Sequence, residues 1–102
     1  DTTHLGTWGL DPLAVYEQLR ERVAHVHLSN FDGADKEHPQ EHRSPPDGDL
    51  PLDDFLRALA RDGYQGSVTV ETGPEVMHAG DEDRCLAELR RALAFCRAHF
   101  DR

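Results

Sequence analysis

Two short runs with the same alternation of side chains restrict this chain more than any other feature. In Val23-Ala-His-Val-His-Leu-Ser-Asn30, successive side chains of an extended strand point to opposite faces. Val23, His25 and His27 therefore share one face, and Ala24, Val26 and Leu28 share the other. Ser67-Val-Thr-Val-Glu71 repeats the arrangement, with Val68 and Val70 on one face and Ser67, Thr69 and Glu71 on the other. Each strand offers an aliphatic face to a core and a polar face that ends in a metal-binding residue type.

Helical signals separate these strands. Asp11 is a good N-cap and Pro12 suits the first helical position; Leu13, Tyr16, Leu19 and Val23 then recur at helical spacing, which predicts a helix over 11–21. From Asn30 to Leu50 there is no usable hydrophobic period, and a loop that long inside a domain is usually functional or mobile. Pro51 opens a helix over 51–62, carried by Leu52, Phe55, Leu56 and Leu59 and closed at Asp62-Gly63. A second irregular segment, Thr72 to Gly80, leads to the longest helix, 81–99. Its predicted apolar stripe is Cys85, Leu86, Leu89, Leu93, Cys96 and Phe100. Asp1-Thr-Thr-His4 reads as the end of a further strand.

Strands alternating with helices are most simply joined by right-handed crossovers, which gives a parallel sheet. An open doubly wound sheet, covered on both faces, would have strands apolar on both. One polar face per strand suits the interior of a barrel near its mouth. A half-solvated antiparallel sheet would also account for the polarity, but it needs hairpins where helical signals lie.

Composition narrows the partners. The chain has 102 residues, and eleven Lys and Arg against twenty Asp and Glu give a net charge of −9, which repels phosphate backbones and argues against nucleic acid. No apolar run reaches the roughly 20 residues of a bilayer span, and no signal peptide precedes Asp1, so no membrane partner and a cytoplasmic location are expected. Cys85 and Cys96 stand about 16 Å apart along a helix, too far to pair with each other, and are expected to be buried as small hydrophobes.

With Asp1 and His4 at the end of one strand, His27 near the end of the next and Glu71 at the end of the third, the candidate ligands converge on one mouth. Carboxylates and imidazoles from several strands suit one divalent cation. Oxygen-rich sets favour Mn or Mg, and nitrogen-richer sets favour Zn or Fe. Glu71, at the end of a Val-rich strand, must be solvated or bind something cationic. His25, one layer deeper, is expected to be hydrogen-bonded structure, and His38, His42, His78 and His99 to be surface residues. A carboxylate at such a site can remove a proton from a C–H beside oxygens held by the cation, leaving, next to a carbonyl, a cis-enediolate. Reprotonation on the other face gives an epimer, and on the neighbouring carbon an isomer.

Asp1-Thr-Thr-His4, His25-Val-His-Leu-Ser-Asn30, His42-Arg-Ser-Pro-Pro-Asp-Gly-Asp-Leu50 and Gly63-Tyr-Gln-Gly-Ser-Val-Thr-Val-Glu71 together resemble the C-terminal part of the xylose-isomerase-like TIM barrels. These form the sugar phosphate isomerase/epimerase superfamily, which includes endonuclease IV. The resemblance implies an α/β fold, a partial (β/α)8 TIM barrel of about the last three β/α units, with strands near 1, 23–29 and 67–71. Residues 1–102 would be a single C-terminal fragment of a barrel domain, needing the missing N-terminal half or self-association. It further implies a metal-dependent sugar or sugar phosphate isomerase/epimerase. Asp1, His27 and Glu71 would be metal ligands, Glu71 would also move a proton, and His4 and Arg43 would hold substrate oxygens. The implied cofactor is one divalent ion, Mn or Mg ahead of Zn, Co or Fe. The alternative is a non-catalytic barrel fragment that binds a ligand or partner. An endonuclease IV-like role is demoted, because that enzyme's Asp-x-His pair is replaced here by Glu41-His42-Arg43. The family's Gly-x-Gly is likewise replaced by Gly48-Asp49-Leu50.

Overall fold

The computed structural model describes residues 1–101. Its elements are α1 (Thr2–Thr7), α2 (Pro12–Leu19) running into a 3-10 turn (Arg20–Arg22), β1 (His25–Leu28), β2 (Asn30–Asp32), β3 (Gln40–Arg43), α3 (Leu52–Arg61), β4 (Ser67–Val70) and α4 (Glu82–His99). Three helix starts follow from side-chain caps. Asp1, Asp11 and Asp81 accept the backbone N–H of His4, Leu13 and Arg84, each satisfying a donor that the first helical turn leaves free.

β1 and β4 pair in parallel, with His25 opposite Ser67, Val26 opposite Val68, His27 opposite Thr69 and Leu28 opposite Val70. The aliphatic faces of both strands therefore coincide. Val26 and Leu28 are buried against Tyr16 of α2 and Leu52, Phe55, Leu56 and Leu59 of α3; Val68, Phe95, Cys96 and Phe100 pack at the margin. Full burial of a Leu is worth about 1.5–3 kcal/mol, and Leu28, Leu52, Leu56 and Leu59 are all buried almost completely. Their burial anchors the helices beneath the pair and leaves the histidine face free of packing duties.

Gly66 marks a close approach between the strands. A Cβ there would meet the Tyr64 hydroxyl and the backbone carbonyl oxygen of Ala24, and the backbone atom cannot rotate away. Gly66→Ala is expected to destabilise the full-length protein by about 1–3 kcal/mol, read as a lowered midpoint in chemical denaturation.

Four expectations are corrected. Residues 1–4 are not the end of a strand: Asp1 caps α1, and Thr2 and Thr3 are its first, buried residues. Their hydroxyls replace strand pairing, because they bond the backbone where β1 passes into β2. The long segment after residue 30 contains an antiparallel pair, with Asn30 opposite Arg43 and Asp32 opposite Gln40, formed by residues with no hydrophobic alternation to signal it. On α4, Leu86, Leu89 and Leu93 lie outward, 41–47% exposed, while Ala92 is the buried residue; the packed side is the one carrying Phe95 and Cys96. The two cysteines are free and half-buried rather than buried, and burial raises the thiol pKa of Cys96. Among the described residues the sheet pairs two parallel strands and does not close into a barrel. No described helix is long and apolar enough to cross a membrane.

Candidate active site

Asp1 reaches the site through its neighbours. The Thr2 hydroxyl donates to the Ser29 carbonyl (2.7 Å) and accepts from the Ser29 N–H (3.0 Å), while Thr3 donates to the Asn30 carbonyl (2.8 Å) and accepts from the His42 N–H (3.2 Å). Two buried threonines thus fasten the first turn of α1 to the C-terminal end of β1. The Asp1 carboxylate bonds the His4 N–H (3.1 Å) and lies 3.7 Å from His4 Nδ1.

His27 is half-buried on the polar face of β1. Glu71 immediately follows β4, fixed by its N–H donating to the Leu28 carbonyl at 3.0 Å. Their side chains meet with His27 Nδ1 2.7 Å from Glu71 Oε2. One ligand atom from each of Asp1, His27 and Glu71 lies within 4.8 Å of the others, so the three residues singled out in the sequence come together although they are far apart along the chain. Two carboxylates held this close repel one another unless a cation lies between them. The oxygen-and-nitrogen donor set fits a divalent ion.

The site extends beyond the residues expected from sequence. Asp1, His4 and His42 also offer ligand atoms within 4.8 Å of one another, and the His4 and His42 rings meet edge to face at 5.3 Å. His42, expected at the surface, is half-buried at the end of β3, with Nδ1 3.3 Å from Ser29 Oγ and a backbone φ of 50°. That left-handed conformation is uncommon for a residue other than glycine and tends to occur at functional positions. Its sequence signal was its place at the head of the family-like stretch His42-Arg-Ser-Pro-Pro-Asp-Gly-Asp-Leu50, which assigned it no role. His25 is exposed; its Nδ1 shares a hydrogen bond with Ser67 Oγ, and its ring meets that of His27 at 4.8 Å.

Arg43 belongs to β3 rather than to an irregular loop. Its Nε donates to the Asp47 carbonyl (3.1 Å) and its Nη1 to Gln40 Oε1. It lines a groove of about 460 Å³ with Pro39, Gln40, Glu41, Glu75 and Val76, between β3 and the segment that follows Glu71. The Asp47 carboxyl is held below its ordinary pKa chiefly by hydrogen bonds from Arg91, against a smaller opposing effect of burial. A depressed carboxyl contributes stability above its unfolded pKa and loses it as pH falls through the folded value. The Asp47–Arg91 contact therefore acts at neutral pH and fails only in acid.

These features define a class: a parallel α/β unit whose strand ends, with the helix start beside them, gather carboxylates and imidazoles at one mouth. The chain belongs to the xylose isomerase-like TIM barrel family, whose model matches residues 1–99. It is 31% identical over 85 residues to an inosose dehydratase from Lacticaseibacillus casei, an alignment covering 70% of this chain and 28% of the relative. It is 30% identical over 59 residues to a fructoselysine 3-epimerase from Escherichia coli O157:H7, covering 58% of this chain and 20% of the relative. The chain thus spans under a third of the length of these relatives. No solved structure matches it with comparable significance.

Proposed function

We propose that, within its full-length protein, this chain supplies Asp1, His27 and Glu71 to one divalent cation in a sugar or sugar phosphate isomerase or epimerase. The observation that carries this reading is the convergence of those three donors, within 4.8 Å, from three separate elements. Relatives named for an epimerase and a dehydratase support sugar chemistry. Mn or Mg suits the oxygen-rich set best. When bound, the ion would supply Lewis-acid polarisation of sugar oxygens.

The chain's own residues divide the remaining work. Glu71, at a strand end and about half exposed, takes a proton from the substrate carbon as general base. His27 holds the Glu71 carboxylate in place. His4, beside Asp1, and Arg43, in its groove next to His42, hold substrate oxygens, Arg43 through a guanidinium edge suited to a hydroxyl or phosphate. A second acid/base for epimerisation, and the strands that complete the sheet, come in this reading from the rest of the polypeptide or from a partner chain.

His27→Ala in the full-length protein is expected to weaken metal binding by at least about tenfold, measured by calorimetry with Mn²⁺. The fold should persist, since the side chain lies off the packed face. Unchanged stoichiometry and affinity would remove His27 from the site. A wild type that retains and binds no divalent cation would favour a non-catalytic binding role instead.

A further inference from the structure

The turn that follows β3 is tied at both ends. Asp47 N–H donates to the Ser44 carbonyl (2.9 Å), Asn30 Nδ2 donates to the Pro45 carbonyl (2.8 Å), and Leu50 N–H donates to Asn30 Oδ1 (2.9 Å). These bonds settle the turn against β2. One further contact reaches across to another element. Arg91, in the middle of α4, grips the Asp47 carboxylate with both ends of its guanidinium: Nη1 donates to Oδ1 at 2.9 Å and Nη2 donates to Oδ2. Glu88, one turn earlier on the helix, accepts from the same Nη2 at 3.1 Å and so sets the angle from which Arg91 approaches. The same Asp47 whose side chain α4 holds offers its backbone carbonyl to Arg43 Nε. A continuous series of hydrogen bonds therefore runs from Glu88 and Arg91 on the outer helix, through Asp47, to the guanidinium of Arg43. With Nε and Nη1 engaged by Asp47 and Gln40, Nη2 of Arg43 has no hydrogen-bond partner among the described residues. It is the edge left for a ligand in the groove.

We infer that Arg91 and Asp47 are positioning residues: their bidentate pair fixes the turn that aims Arg43, so that a side chain on the outer helix sets affinity for a polyhydroxylated ligand. The inference rests on the reading of Arg43 as a substrate-binding residue. Neither Asp47 nor Arg91 is among the residues of the metal cluster or of the groove that Arg43 lines, so their loss should act on binding and leave the metal alone. A bidentate guanidinium–carboxylate pair fixes orientation as well as distance, which a lysine ammonium does not. Arg91→Lys should therefore restore part of the effect and not all of it.

The test uses the full-length protein as wild type, Arg91→Ala, Arg91→Lys and Asp47→Asn. Calorimetry measures Mn²⁺ affinity, then the affinity of the Mn²⁺-loaded protein for xylitol, a linear polyol with adjacent hydroxyls and no carbonyl to isomerise. Hydrogen–deuterium exchange reports on backbone order over residues 43–50. Arg91→Ala and Asp47→Asn are expected to bind xylitol about three- to fivefold more weakly, the range for a pair that is partly solvated. Mn²⁺ affinity should be unchanged and exchange over 43–50 faster, with Arg91→Lys in between. If the wild type binds Mn²⁺ and xylitol, and Arg91→Ala binds both equally well or exchanges no faster, the clamp is overturned while the proposed function stands. If the wild type has no affinity for Mn²⁺, the proposed function falls and the clamp's role in substrate binding falls with it.

Discussion

Glu71→Gln in the full-length protein is expected to lower turnover of a ketose substrate by about 10²- to 10⁴-fold, the usual worth of a positioned general base. The substitution keeps the length and shape of the side chain and removes its ability to accept a proton at neutral pH. Position is retained because it comes from the backbone: the residue 71 N–H bonds the Leu28 carbonyl at 3.0 Å, and β4 is in register with β1 from Ser67 to Val70. Some metal affinity should also be lost, since an amide oxygen is a weaker ligand than a carboxylate. The loss in turnover at saturating Mn²⁺ separates the two effects. Steady-state kinetics over a panel of ketoses and their phosphates checks the expectation, and undiminished turnover would remove Glu71 as the base.

Asn30→Ala is expected to cost about 2–4 kcal/mol of stability, through the buried polar groups it would strand. Asn30 is 2% exposed. Its amide donates to the Pro45 carbonyl at 2.8 Å, and its side-chain oxygen accepts from the N–H groups of Phe31 (2.8 Å) and Leu50 (2.9 Å). An alanine would leave a buried carbonyl and two part-buried N–H groups each short of a partner. Asn30→Asp sharpens the test: it keeps the acceptor and removes the donor to Pro45, so it should be impaired as well. Urea unfolding followed by circular dichroism measures both variants. A loss below about 1 kcal/mol in Asn30→Ala would mean that water replaces the amide and that the turn does not depend on it.

Much of the framework was legible in the residues alone. Strand alternation is a local property with a period of two, so the aliphatic faces of His25–Leu28 and Ser67–Val70 could be assigned before any neighbour was known. Caps are equally local: Asp11-Pro12 announces α2 because the carboxylate and the ring act on the next few residues. His27 and Glu71 could be singled out because ligand-type side chains at the ends of such strands must face the same way in a parallel sheet; Asp1 was singled out as the end of a third strand, whereas it reaches the site as the cap of α1.

What tertiary structure decided was everything that depends on a distant partner. Asp1 caps a helix of only six residues, too short for a hydrophobic period, and that helix is held by threonine hydroxyls bonded to backbone some 27 residues away. β2 and β3 have no apolar face, and their pairing is visible only once the chain folds back on Asn30. His42 reads as one surface histidine among several until β3 carries it to Asp1 and His4. The leucine stripe of α4 follows helical period, yet period shows which residues share a side and not which side meets the core. The side of α4 that meets the core carries Ala92, which is buried, with Phe95 and Cys96 packed against the cluster that includes Phe55, Leu56 and Leu59. The sequence by itself determined the helices α2, α3 and α4, the two faces of β1 and β4, and the family; long-range hydrogen bonds and packing against the core decided α1, the β2–β3 pair, the inward side of α4 and which side chains share a site.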